Sequence, residues 1–160
     1  MNIEQAIYTL LKAATAITDE VEGRIFAGIW KQEVITYPGI VYRPPPEGGK
    51  DIVRVLESGC SLVRQRMHIF SAAKRFGTAA ELDNAVIGCL DEFRGTVISF
   101  ELSPAESIDI QAIFLTSPAH SYMYDDRTKV HQFISVFECH YIDPQRVPTD
   151  VPLETQQKHN

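Results

Sequence analysis

Cysteine is scarce in this chain of 160 residues: Cys60, Cys89 and Cys139 are all there is. An odd number at wide spacing, with no C-x-x-C pair, excludes the framework of a secreted disulfide domain, so free thiols are expected. Cys89 falls on the apolar face of a helical pattern, where a thiol serves as a small core hydrophobe. Long apolar runs are missing too, and none approaches the ~18 residues a membrane-spanning helix needs. Glu4 stands where a secretory signal would carry positive charge, so synthesis in the cytoplasm and no membrane partner are expected. Basic excess is also absent: 15 Lys and Arg against 21 Asp and Glu give a formal charge of −6. Affinity for phosphate comes from clustered cations, so specific nucleic-acid binding is disfavoured.

Signatures of catalysis are missing as well. There is no G-x-S-x-G elbow, phosphate loop, G-x-G-x-x-G turn or H-E-x-x-H pair. Gly48-Gly49-Lys50 echoes a phosphate loop, but Asp51 occupies the position that would meet magnesium, and the segment reads as a turn. His68, His120, His131, His140 and His159 show no zinc-site spacing, and Cys139-His140, adjacent on a strand, point to opposite faces. Asp125-Asp126 is a carboxylate pair, yet in a polar hairpin turn it reads as a turn former. Cys60 in Ser58-Gly59-Cys60 lacks a nearby base. Neither an enzyme, nor a cofactor, nor a metal is expected. A small enzyme or ligand-binding domain with a site between subunits is the alternative, and a pocket lined by His68, His120 and Cys60 would support it.

What is present is a good set of folding signals. Ile3, Ala6, Ile7, Leu10, Leu11 and Ala14 form one apolar stripe on a first helix with Asn2 as its N-cap, fading through Thr15 to Glu22 and ending at Gly23. Arg24–Ala27 and Gly39–Tyr42 have the β-branched and aromatic composition of strands. Between Pro44 and Gly59, led by Pro44-Pro45-Pro46-Glu47-Gly48-Gly49, a protruding loop is expected. Leu62 to Phe70 alternates, with Val63, Met67 and Ile69 on one face and Arg64, Arg66 and His68 on the other, a face either solvated or set against a partner.

Thr78-Ala79-Ala80-Glu81 fits a capping box that starts a helix, with Leu82, Ala85, Val86, Cys89, Leu90 and Phe93 buried, Glu81, Asp83, Asn84, Asp91 and Glu92 mainly outside, and Gly95 as the left-handed stop. Ile108, Ile110, Ala112 and Phe114 alternate with Asp109, Gln111, Ile113 and Leu115. A second run from Lys129 to Ile142 follows the turn Asp125-Asp126-Arg127-Thr128, which makes a long hairpin. Phe133, Phe137 and Tyr141 share one side of it and read as core. The fold class is therefore α+β, a mixed or antiparallel sheet of about four to five strands packed by two helices, with a long C-terminal β-hairpin. Residues 1–142 form one domain, and 143–160 are expected to be a flexible proline-containing tail.

The order of these elements resembles the tail-completion, or tail-to-head joining, proteins of long-tailed bacteriophages. The matching segments are Ala6-Ile7-Tyr8-Thr9-Leu10-Leu11, Gly23-Arg24-Ile25-Phe26 and Tyr37-Pro38-Gly39-Ile40-Val41-Tyr42. Further on come Arg66-Met67-His68-Ile69 leading to Ala80, Leu82, Val86, Leu90 and Gly95, and then Tyr124-Asp125-Asp126 before Phe133-Ile134-Ser135-Val136-Phe137. Two positions depart from the family pattern: Phe70-Ser71 stand where an acidic residue is common, and Thr128-Lys129 where a glycine is. The resemblance spans about residues 3–142 and implies a virion structural protein that forms a hexameric ring, caps the head-proximal end of the tail and meets the head connector. Its partners would be copies of itself, the tail-tube protein and a head-completion protein, with DNA passing through without specific binding. The location would be the head–tail junction of the virion, and the host cytoplasm during assembly. A neck component on the head side is the alternative within this class. The expected interface residues are Arg64, Arg66, His68, Pro45, Lys50, Asp125, Asp126 and Arg127.

Overall fold

The computed structural model describes residues 1–30, 36–116 and 121–143. Residues 144–160 of the expected tail lie outside them, as do Ser117-Pro118, His120 and His159. The N-terminal helix α1 (Ile3–Ala13) begins with a full capping box. The Asn2 side chain accepts from the Gln5 backbone at 2.8 Å, and the Asn2 backbone donates to the Gln5 side chain at 2.9 Å. Two otherwise orphaned N–H groups are satisfied in this way. The chain then breaks at Ala14, whose backbone is extended, and restarts as a separate short helix α2 (Thr15–Val21) rather than fading out. Ile17 and Val21, one turn apart, are fully buried and hold this helix to the core. Glu22 and Gly23 both take positive φ and turn the chain into the sheet.

Two long strands carry the sheet. β4 (Ser61–Ala73) and β8 (Val130–Asp143) pair antiparallel from Ser61 opposite Asp143 to Ala73 opposite His131. Each is flanked by two shorter strands placed end to end. On β4, β2 (Gly39–Arg43) pairs with residues 68–72 and β3 (Lys50–Val55) with residues 61–65. On β8, β7 (Ser121–Asp125) pairs with 130–134 and β6 (Glu106–Leu115) with 137–142. The edges are completed by β1 (Ile25–Ala27), parallel to β2, and β5 (Gly95–Ser99), antiparallel to β6. Because β4 and β8 run in opposite directions, β3 and β6 flank one end of the ribbon, and β2 and β7 the other.

The helices cover one face. Period-two alternation aims Val63, Met67 and Ile69 of β4 and Phe137, Cys139 and Tyr141 of β8 at them. α3 (Phe76–Leu90) lies across both strands, with Leu82, Val86 and Leu90 buried. Full burial of each such side chain contributes about 1.5–3 kcal/mol. Phe133, expected in the core, is only half-buried and joins an aromatic cluster with Phe76.

The α+β class stands, with three helices and eight strands among the described residues. Several details differ from the sequence reading. α3 starts at Phe76, not at the Thr78 capping box, and its N-cap Arg75 makes no side-chain cap bond. The Phe76 ring packs against Tyr122 and Phe133, so tertiary packing extends the helix three residues beyond its best local start. Its end is set by Asp91 and Glu92 rather than Gly95, which opens β5. Glu92 takes φ +62, its N–H donates to the Ile113 carbonyl at 2.8 Å, and the Asp91 side chain accepts from Leu115 N–H at 2.8 Å.

Asp83, expected outside, is buried and accepts a 2.7 Å hydrogen bond from Ser135. In β6 a bulge between Ile110 and Ala112 shifts the alternation, so that Ile113 is buried and Phe114 turns outward. Finally, the segment between Pro44 and Gly59 is not a loop throughout. Only its ends turn, and Lys50–Val55 form β3.

Candidate interaction surfaces

On the face of the sheet away from the helices, register brings charged groups into rows. Arg64 lies between Asp51 of β3 and His140 of β8, and Arg66 lies opposite Glu138. Arg64 pairs with Asp51 at 3.1 Å, and His140 Nε2 sits 2.7 Å from Glu138 Oε1. His68 continues the row beside Arg43 and is half-buried. Burial pulls its pKa below the usual histidine value, and Arg43 and Arg66 add to the effect against the opposing pull of Glu47. The three side chains expected on one face, Arg64, Arg66 and His68, therefore do share it. An ion pair as exposed as Arg64–Asp51 contributes roughly 0–1 kcal/mol to stability.

The remaining expected residues divide. Lys50 is exposed at the start of β3 and reaches Asp143 at 3.1 Å. Pro45 is buried, with its ring against Gly49, and so is withdrawn from the surface that the loop reading gave it. The proline run packs down as a turn between β2 and β3 because Gly48 and Gly49 supply the positive φ that reverses the chain. Asp125 caps the β7–β8 turn, its carboxylate accepting from Arg127 N–H at 2.9 Å and Thr128 N–H at 3.3 Å. A hydrogen bond from the Thr128 side chain, helped by these backbone bonds and opposed by partial desolvation, holds its pKa below the usual carboxylate value. Asp126 pairs with Lys129, and Arg127 is exposed. Asp125 and Arg127 also line an open cleft of about 500 Å³ with Trp30, Tyr37 and Lys74. Its polar groups include the capping carboxylate of Asp125, the Arg127 guanidinium, and the Lys74 ammonium, which lies 5.4 Å from the centre of the Tyr37 ring.

Three exposed apolar features escaped the sequence reading. Every residue of β3 is exposed, Ile52, Val53 and Val55 among them, each more than half accessible. The alternation Lys50-Asp51-Ile52-Val53-Arg54-Val55 carried a β-branched signal that the preceding prolines masked. On β7, Tyr122, Met123 and Tyr124 are exposed. Tyr122 and Tyr124 gather with Phe76 around His131, whose Nδ1 lies 2.8 Å from the Tyr122 hydroxyl. Phe100, 82% exposed, projects beyond β5 at the opposite end of the sheet. Exposed apolar groups such as those of β3 and β7 are candidates for contact with other molecules.

Burial raises the pKa of two of the three thiols. Cys139 is fully buried and its pKa is pushed up to about 12, while burial raises that of Cys89. Among the described residues, no group of three His, Cys, Asp or Glu side chains is placed to hold a metal ion. No helix among them is long and apolar enough to cross a membrane.

No protein-family model and no curated protein matches the chain. Among solved structures, a chain of the virion of a native gene transfer agent particle is similar, with a TM-score of 0.62 and 12% sequence identity. The match covers 88% of this chain and 94% of that one. At that identity the likeness is one of fold: this chain has the architecture of a component of that particle.

Proposed function

We propose that the protein is a virion structural component that assembles as a ring, caps the head-proximal end of a phage-like tail and joins it to the head connector. The observation that carries this reading is the match over nearly the whole of both chains to a component of a gene transfer agent virion. The order of elements from residue 3 to 142, resembling tail-completion proteins, supports the finer assignment to the tail end. A ring of one kind of subunit needs two different surfaces per copy that meet head to tail. The outward charged row of Arg64, Arg66 and His68, the β3 edge beginning at Lys50 and the turn at Asp125–Arg127 are candidates for these contacts and for the partner faces. The net charge of −6 suits a lumen through which DNA passes without adhering.

Light scattering across a concentration range and negative-stain imaging of the same fractions test the proposal, followed by mixing with purified tails that lack a terminator. Closed rings that bind one tail end are the expected result. Binding to isolated portal or neck assemblies and not to tails would move the protein to the head side of the junction, and binding to neither would overturn the virion role.

A further inference from the structure

β1, β3, β5 and β7 each pair with a single strand among the described residues; β1 and β5 have buried residues, which leaves β3 and β7 as the fully open edges. They lie on opposite flanks of the β4–β8 ribbon and at opposite ends of it, and they have nearly equal lengths of six and five residues. Every residue of both is exposed. Exposed edge strands present a row of unpaired N–H and C=O groups, which natural proteins commonly blunt with charge, proline or a covering element. Here β3 carries Ile52, Val53 and Val55 beside the charged Lys50, Asp51 and Arg54, and β7 carries Tyr122, Met123 and Tyr124. On the helix side, register places Ile52 of β3 level with Val63, and Tyr122 and Tyr124 of β7 level with Phe133 and His131.

From these two edges we infer that β3 of one copy pairs with β7 of the next copy of this chain, so that the sheet continues from subunit to subunit around the ring. This rests on the ring reading above and specifies its contact. Strand direction is consistent with it. β3 is antiparallel to β4, β4 to β8, and β8 to β7, so in a repeat of like-oriented subunits the incoming β7 runs antiparallel to β3. In the antiparallel arrangement Lys50, at the start of β3, meets Asp126, just past the end of β7, while Asp51 meets Asp125. The same register sets the aromatic Tyr124 opposite the β-branched Ile52, a favourable cross-strand combination. The opposite arrangement would leave Asp126 beside Val55. Since the two edges are staggered along the ribbon, strands in the assembly tilt relative to the ring axis, as strands in closed barrels do. A contact between two different edges closes by rotation, whereas β3 against β3 would stop at a dimer.

Hydrogen exchange on the full chain, assembled and diluted to monomer, reads the contact directly. Backbone amides within both 50–55 and 121–125 are expected to become protected on assembly, with at least tenfold slower exchange, together and at the same concentration. Ile52→Lys and Met123→Lys, each placing a cation on one edge, are expected to abolish assembly while leaving the thermal midpoint of the monomer unchanged. Rings that form without protection of both segments, or that persist in both variants, overturn the strand pairing and leave the ring reading intact. A dimer of Met123→Lys would show β3 pairing with itself, which also overturns the inference. A wild-type chain that stays monomeric both alone and on purified tails overturns the pairing and the ring together.

Discussion

Replacing Leu90 by alanine tests the placement of α3 on the sheet. Leu90 is the last residue of the helix, has no exposed surface, and belongs to the same core as Phe137 and Ile113. The substitution removes three carbon centres, and about 0.8 kcal/mol per buried methylene gives roughly 2.4 kcal/mol from transfer alone. A cavity term is added because α3 is tied at its end by the Glu92 N–H to Ile113 carbonyl bond and cannot close freely on the gap. The total is about 2–5 kcal/mol. With a urea slope of ~1–3 kcal/mol/M for a domain of this size, the midpoint should fall by roughly 1–3 M. Asn84→Ala, on the exposed side of the same helix, should change the midpoint by an order of magnitude less. An unchanged midpoint for Leu90→Ala, or equal effects of the two, would show that this face of α3 is not the buried one.

Three further outcomes are expected. Asn2→Ala should destabilise the protein by about 1 kcal/mol through loss of the α1 cap, whereas Thr78→Ala should cost little, because α3 starts before it; denaturant midpoints of the two variants decide. Gly49→Ala should cost at least ~1 kcal/mol, since Gly49 holds φ +59 and a Cβ there would lie 2.8 Å from the Pro45 ring; thermal unfolding would reveal a tolerated alanine. His68 has its pKa lowered in the fold, so the unfolded chain binds the proton more readily and stability falls as pH drops below the ordinary histidine value near ~6.5, levelling off below the folded pKa. His68→Gln should flatten that part of the stability-against-pH curve, and an unaltered slope would assign it to other groups.

Much of the fold was legible in local pattern. The apolar stripe from Ile3 to Leu11, the Asn2 cap, the alternation of Val63, Met67 and Ile69 against Arg64, Arg66 and His68, and the inward Phe137 and Tyr141 all depend on side-chain period and backbone chemistry within a few residues. Those are properties a sequence carries by itself, and with them the α+β class and the common face of the three cationic or titratable groups on β4. What tertiary structure decided was set by distant partners. Phe76 joined α3 because Tyr122 and Phe133 receive its ring, against the local preference for Thr78. Asp83 went inside because Ser135 of β8 donates to it, and Phe114 turned out because a bulge between Ile110 and Ala112 shifts the face of β6. Pro45 was buried and Lys50–Val55 became a strand because β4 extends far enough past β2 to pair with both. The free edges of β3 and β7 arise from the same cause: whether a strand is an edge depends on which neighbours stop short of it, and that is fixed only when the long strands β4 and β8 have been laid side by side.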